Sequence, residues 1–492
     1  MENEPAHWKP DCGNRQVSAS YLRRDMKTGN GKRESCGIVA VLSKTGKPVA
    51  NYVYNGMLAL QHRGQDAAGM AVYNGKKLEE KRGIGLVSRI FSEKDMDMNG
   101  SAGIAHTRYP TTDGFGIEDV QPSILHKMNL AVAHNGHIAN YNVLKKELEK
   151  KGAKFSSTVD SEAILHLLAE AFAAGKEVEG AVRHAMGKLD GSYSVVAIKD
   201  GVLFAFRDPH AIRPLELGES GDAYFAASET VAFDINGARH IGTLGGGEMA
   251  TISPGEGFRK KMVVPSTHRH CMFEYVYFSR PDSVINGVGV HEARRRLGAA
   301  LAKEAPVKAD VVVPIPDTAR TAALEISRAL EIPYEEGIIK NRYVARTFIM
   351  PDQKARISAV KAKLNPVRGV VEGKSVIVVD DSIVRGTTTR EILRMVRDAG
   401  AREIHMRVTC PPIRHPCFYG VDMSTYEELI ANKKSVEEIR KFIGADTLYY
   451  VSLEGLKKAI GLGLCTGCLA GDYPTEYGMK LAKERRGGGE CG

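Results

Sequence analysis

The sequence predicts two domains of different class, an α+β domain over residues 36–265 and an α/β domain with a parallel sheet over residues 266–475. Three observations predict this. Several short strand-like runs with few helical segments between them fill the first stretch, which argues for layered sheets rather than a doubly wound fold. Strand and helix patterns then alternate through the second stretch, as in βαβ units with right-handed crossovers. Finally, Lys374 to Gly400, KSVIVVDDSIVRGTTTREILRMVRDAG, holds an apolar run, an acidic pair, a glycine–threonine loop and a helical pattern in succession.

Composition sets the outer bounds. A chain of 492 residues, 43% hydrophobic and 26% charged, can form two or three domains with proper cores. The formal charge of +9 suits phosphorylated substrates, but no basic run interleaved with aromatics points to nucleic acid. No apolar stretch reaches the roughly 18 residues of a membrane span, so no membrane partner is expected. Residues 1–35 are polar, without periodicity and without an apolar signal core, and read as a flexible segment. The expected location is therefore cytoplasmic. Eight cysteines are too sparse for a disulfide scaffold, and in a reducing compartment they point to packing, catalysis or metal.

Order is expected to begin at Cys36, the head of the strand-like run to Leu42. Leu60 to Gly69 (LQHRGQDAAG) ends a short apolar helix in a polar turn. His106 to Thr111 (HTRYPT) follows a strand at Ala102 to Ala105. Ala131 to Ala133 reads as a strand that stops in a tight turn at His134, Asn135 and Gly136. Thr158 to Glu162 opens a helix whose buried side is Ile164, Leu165, Leu167, Leu168 and Phe172.

A strand and turn over His270 to Ser283 joins the domains, and residues 476–492 read as a tail. In the second domain, His291 to Lys303 is a predicted helix, Asp310 to Pro314 a strand, Thr321 to Leu330 a helix, and Tyr334 to Ile339 a strand. Residues 340–366 are long, basic and without pattern, which suits a lid over pyrophosphate. Val376 to Val379 is an apolar run suited to a strand buried on both faces, placing Asp380 and Asp381 at its carboxyl end, where ligands bind in open α/β sheets. Arg385, Gly386, Thr387, Thr388 and Thr389 then lead into a helix, whose free N–H groups and dipole favour a phosphate. Met406 to Cys410 is a further strand.

The motifs VVDDSIVRGTTT, PIPDTA and KNRYVARTFI resemble the phosphoribosylpyrophosphate (PRPP) sites of type I phosphoribosyltransferases. CGIVA, LQHRGQDAAG, HTRYPT, HNG, TVDSE and RDPHAIRPL, in this order, resemble the glutaminase domain of N-terminal-nucleophile (Ntn) amidotransferases, which stack two antiparallel sheets between helix layers. Joined, the two halves are similar to the family of glutamine PRPP amidotransferases. The resemblance implies transfer of ammonia from glutamine to C1 of PRPP. It implies Cys36 as an N-terminal nucleophile after removal of residues 1–35 as a propeptide, with Asn135 and Gly136 as the oxyanion hole. Arg108 would clamp the glutamine α-carboxylate and Asp160 its α-ammonium. His62, His106 and His134 would be structural, because an Ntn cysteine needs no imidazole base. On the PRPP side the resemblance implies that Gly386 to Thr389 hold the 5-phosphate and that Asp380, Asp381 and Thr318 address ribose hydroxyls and Mg²⁺. Lys340, Arg342 and Arg346 would face the pyrophosphate.

Cys465 and Cys468 form a CxxC, and with the distant Cys271 and Cys417 they fit a four-sulfur site for zinc or an iron–sulfur cluster; spacing does not choose between them. One branch of the family carries a [4Fe–4S] cluster at cysteines in matching contexts, which favours the cluster here. The family also implies purine-nucleotide inhibitors and a homotetramer. Two other readings are a PRPP-binding regulator without turnover and another Ntn glutamine-dependent transferase. The glutaminase residues argue against the first and the phosphate loop against the second.

Overall fold

The computed structural model describes residues 36–109, 116–341, 363–423 and 425–487. Segment 1–35 and the greater part of the expected lid, including Arg342 and Arg346, lie outside the described residues.

The first domain contains thirteen strands: β1 (Gly37–Ser43), β2 (Ala67–Tyr73), β3 (Leu78–Ile84), β4 (Ala102–Arg108), β5 (Ser123–Leu125), β6 (Leu130–Ile138), β7 (Gly191–Lys199), β8 (Val202–Arg207), β9 (Glu216–Glu219), β10 (Ala223–Ala227), β11 (Arg239–Thr243), β12 (Glu248–Ser253) and β13 (Gly257–Met262). They form a seven-stranded sheet in the order β11-β9-β10-β1-β4-β2-β3 and a six-stranded sheet in the order β13-β12-β8-β7-β6-β5. All pairings are antiparallel.

Alternation along the strands explains the stacking. On one face Ile38, Ala40 and Ile104 of the first sheet meet Ala131, Ala133, Val196 and Ile198 of the second in a shared core. On the outer faces, Val39, Val41 and Phe225 pack on the helix Ala50–Ala59. Val132, Tyr193 and Val195 pack on the helices Ser161–Ala173 and Val178–Met186. The result is the expected helix–sheet–sheet–helix layering.

In the second domain, β14 (His270–Cys271) pairs in parallel with β23 (Leu464–Cys465), and β15 (Val284–Ile285) forms a ribbon with β16 (Val288–Gly289). The main sheet is parallel, in the order β17 (Val311–Pro314), β20 (Ser375–Asp380), β21 (Glu403–Val408), β22 (Thr447–Tyr450). The short strands β18 (Ile338–Lys340) and β19 (Leu364–Pro366) pair apart from it. Val311, Val313, Val376 and Val378 face the helices Thr387–Asp398 and Val436–Ile443, whereas Val312, Ile377 and Val379 face the helices Val290–Glu304, Arg320–Leu330 and Leu453–Ile460. Burial on both faces explains why these strands are continuously apolar.

Four expectations differ from the fold. No turn interrupts β6 at Asn135 and Gly136, because that strand stays paired with β7 as far as Ile138↔Gly191. Beyond Cys271 the expected strand gives way to a helical turn at Glu274–Phe278, since Glu274 is drawn into a buried charge cluster. Tyr334 makes only an isolated parallel bridge to Val312, and pairing in this segment starts at Ile338. The expected tail begins as a helix, Glu476–Gly487, which docks back on the first domain through the Tyr477 N–H to Asp190 Oδ2 at 3.2 Å.

Candidate active site

The strand order places two catalytic-type clusters. β1 lies between β10 and β4, with Gly37 opposite Thr107, so Cys36 emerges beside Arg108 at the end of β4. From the other sheet, Asn135 donates from Nδ2 to Ser228 Oγ at 3.4 Å, and that hydroxyl also accepts the Ile38 N–H at 3.0 Å. Ser228 thus ties the start of β1 to Asn135 across the sheet interface. Cys36 is partly exposed, with its Sγ 4.0 Å from the Tyr109 carbonyl oxygen.

Gly136 must be glycine. Its φ is +145°, and a Cβ there would lie 2.1 Å from the Ser192 carbonyl oxygen. Only without a side chain does its backbone stay in the ladder beside Asn135.

Asp160 stands just ahead of the helix Ser161–Ala173 but makes no side-chain cap. Its Oδ2 accepts the Ile138 N–H at 2.8 Å, and the rings of His134 and His137 lie 3.6 and 3.3 Å from its oxygens. Burial pushes its carboxyl up, but His134 and then His137 outweigh burial and hold it well below the usual carboxylate range. His134 is therefore the orienting partner of Asp160, a role that spacing does not reveal. Burial, reinforced by Arg108, lowers the His106 imidazole and keeps it neutral at pH 7. Two residues beyond Asp160, Glu162 accepts from the backbone N–H groups of Ser156 and Ser157 and from both hydroxyls. Burial opposes its ionisation, yet the neighbouring His166 ring, 3.7 Å away, and then the hydrogen bonds from Ser157 bring its pKa down to about 2.

In the second domain, Asp380 and Asp381 lie buried at the carboxyl end of β20. The Thr318 hydroxyl donates to one oxygen of Asp381 and Ser382 Oγ donates to the other at 2.8 Å. Thus residues separated by 63 positions meet at one strand end. Lys340 Nζ lies 2.6 Å from Asp317 Oδ2 on the neighbouring loop.

Gly386, with φ +74°, turns the chain into the helix Thr387–Asp398, and a Cβ there would approach Ile430 Cδ1 to 2.8 Å. Thr387 and Thr388 are exposed at the helix start, while Thr389 is buried beneath them. Arg385 donates to Glu428 Oε1 at 2.6 Å.

Cys271, Cys417, Cys465 and Cys468 line one enclosed cavity of about 20 Å³. Cys271 and Cys465 face each other across the β14–β23 pair. Burial pushes all four thiols up, Cys271 to about 12. No three His, Cys, Asp or Glu side chains among the described residues are arranged as they stand to hold a metal ion. Cys410 is buried in the same hydrophobic cluster, near Cys468, but does not line the cavity.

A glutaminase-type half facing a phosphate-binding half defines a glutamine-dependent phosphoribosyl-transferring enzyme. The comparisons bear this out. A glutamine amidotransferase domain family matches residues 115–234, and a phosphoribosyl transferase domain family matches residues 290–449. An amidophosphoribosyltransferase of Methanothermobacter thermautotrophicus is 48% identical over 450 residues, covering 90% of this chain and 95% of that protein. The Bacillus subtilis amidophosphoribosyltransferase is 45% identical, covering 91% and 95% respectively. A solved structure of the B. subtilis glutamine PRPP amidotransferase, complexed with ADP and GMP, superposes with a TM-score of 0.84 at 44% identity, covering 90% of this chain and 98% of that one. The chain belongs to the amidophosphoribosyltransferase family. Its activity is glutamine-dependent amidotransfer to PRPP, the first step of purine biosynthesis.

Two measurements test this geometry. Gly136→Ala is expected to remove most glutamine hydrolysis, in an assay of glutamate release, because the added methyl must displace β6 from β7. Glu162, with its carboxyl lowered to about 2 from 4.5, adds stability that is fully present above pH 4.5 and is lost as pH falls through 2. Glu162→Gln should therefore flatten the acid limb of a pH–stability profile between those values.

Proposed function

We propose that Cys36, freed by cleavage between Ser35 and Cys36, is the nucleophile of glutamine hydrolysis and that its own α-amine takes the thiol proton. The observation that carries this reading is the convergence of Cys36, Arg108 and Asn135 at one end of the stacked sheets, through the β1–β4 register and Ser228. The thiolate attacks the carboxamide carbon, and the oxyanion accepts hydrogen bonds from Asn135 Nδ2 and the Gly136 N–H. The C–N bond then breaks, ammonia leaves with the proton held on the amine, and water releases glutamate from the thioester. Arg108 binds the glutamine α-carboxylate, and Asp160, kept ionised by His134, pairs with its α-ammonium.

In the second domain, Thr387, Thr388 and the helix start after Gly386, with Thr389 beneath, hold the 5-phosphate of PRPP. Asp380 and Asp381 bind ribose hydroxyls, and Arg385 braces the loop through Glu428. Two adjacent buried carboxylates, with the Thr318 hydroxyl bonded to that of Asp381, suit a hard cation, so Asp380, Asp381 and Thr318 fit Mg²⁺. When bound, Mg²⁺ neutralises charge on the departing pyrophosphate. Lys340, together with Arg342 and Arg346, meets the same charge.

The four cysteines share one cavity, and four thiolates are the donor set of a [4Fe–4S] cluster, which we assign to Cys271, Cys417, Cys465 and Cys468 as a structural group. Purine nucleotides as inhibitors, in keeping with the ADP and GMP of the B. subtilis structure, a homotetramer and a cytoplasmic location complete the proposal. No helix among the described residues is long and apolar enough to cross a membrane.

Mass spectrometry of active protein should find Cys36 as the first residue, and full activity with residues 1–35 retained would overturn the amine mechanism. Cys36→Ala is expected to abolish glutamine use while keeping synthesis from free ammonia; loss of both in a folded variant contradicts two separate sites. Iron and sulfide analysis should return four of each per chain, as a [4Fe–4S] group requires. Stoichiometric zinc would contradict the cluster.

A further inference from the structure

A buried charge cluster at the domain joint has no part in the chemistry above. Arg63, Arg213 and Glu229 come from the first domain and Glu274 from the second, and none is more than 2% exposed. Arg63 donates from both terminal nitrogens to Glu274, at 2.9 and 2.8 Å, and from one of them to Glu229 at 2.6 Å. Its remaining donor, Nε, reaches the Cys36 carbonyl oxygen at 3.0 Å. Arg213 donates to Glu274 Oε1, the oxygen that also accepts from Arg63 Nη2, at 3.0 Å, and to the carbonyl oxygen of Tyr419 at 3.1 and 2.8 Å. Burial pushes the Glu274 carboxyl up, but Arg63 and then Arg213 bring it below its ordinary value, so it is ionised at neutral pH.

Stability is a weak reason for such a cluster, because well-packed apolar residues of similar volume often serve as well as buried ion pairs. Its geometry supplies a better one. The β1 ladder begins at Gly37, opposite Thr107, so Cys36 lies beyond the paired backbone. The Cys36 carbonyl is then the anchored backbone group nearest the thiol and the amine. Arg63 Nε–H holds it, and the orientation of that N–H is fixed by the carboxylates gripping the other end of the planar guanidinium. Glu229 is shared with His62, the Arg280 N–H and Ser283, whereas Glu274 meets the guanidinium with both oxygens.

We propose that Glu274 is a positioning residue of glutamine hydrolysis: acting from the second domain through Arg63, it aims the thiol and amine of Cys36. This rests on Cys36 being the nucleophile. The glutamine clamp at Arg108 and Asp160 belongs to other elements, so losing Glu274 should disturb turnover rather than substrate binding.

The test uses the full-length enzyme carrying Glu274→Gln, which keeps the shape and removes the charge. Expected are a fall of about tenfold or more in kcat with glutamine, a KM for glutamine within about twofold, and unaltered synthesis from ammonia. An unchanged kcat, or a higher KM at full kcat, overturns the proposal. If ammonia-dependent synthesis is lost too, the variant has not folded and Arg63→Lys decides, since lysine offers the carboxylates a cation but has no Nε–H for the Cys36 carbonyl. The same split supports the proposal, and full kcat overturns it. Cys36→Ala is assayed in parallel. If that variant still uses glutamine, the nucleophile assignment fails and this inference with it; if it is inactive while Glu274→Gln has full kcat, only the inference fails.

Discussion

The guanidinium of Arg63 ties the two halves of the molecule together at the start of β1. It bonds the backbone of Cys36, the Glu229 carboxylate of the same domain and the Glu274 carboxylate of the other. Burying such charges costs desolvation, which is offset only when every donor and acceptor is met. Here Ser279, Ser283, Arg213 and the Arg280 N–H complete the set. Domain docking and the placement of the strand that carries Cys36 are therefore one structural event. The carbonyl of Tyr419 extends the contact, accepting from Arg213 and from Ser192 Oγ, while the Tyr419 N–H donates to Cys417 Sγ at 3.3 Å. The wall of the cysteine cavity thus abuts the domain joint.

Each half presents the electrostatics that its proposed substrate site needs. Glutamine carries both charges, and its half offers a buried arginine, Arg108, and a carboxylate held ionised by histidine neighbours, Asp160. PRPP is anionic at both ends, and its half offers a helix start without acidic residues in the first turn. The acidic pair lies apart, at the end of β20, where the proposed hard cation would relieve its repulsion of phosphate.

The sequence made much of this legible because strand and helix periodicities are local. A layered α+β domain followed by a parallel sheet, and the strand–acid–glycine–helix unit at 374–400, were readable from patterns of a few residues, whereas the stacking of two antiparallel sheets followed from the family resemblance. Continuous pairing at Gly136 was not, because Asn-Gly usually signals a turn and only the partner strand shows otherwise. The aromatic and β-branched run Tyr275–Phe278 likewise favours a strand. It is overridden by contacts made over long range, among them Glu274 to Arg63, 211 residues away. The edge strand Thr447–Tyr450 was missed because four residues give too short a period to detect. Ser228 and Glu229 carry no motif signal, and His134, though part of the HNG motif, shows no link to Asp160 in the sequence, because their partners are set by the fold.

The central claim is that hydrolysis in one half feeds transfer in the other. Its most direct measurement is the simultaneous release of glutamate and pyrophosphate from glutamine, PRPP and Mg²⁺. The account predicts equal amounts of the two products, with pyrophosphate absent when neither glutamine nor ammonia is supplied. Glutamate release with no accompanying pyrophosphate would contradict it.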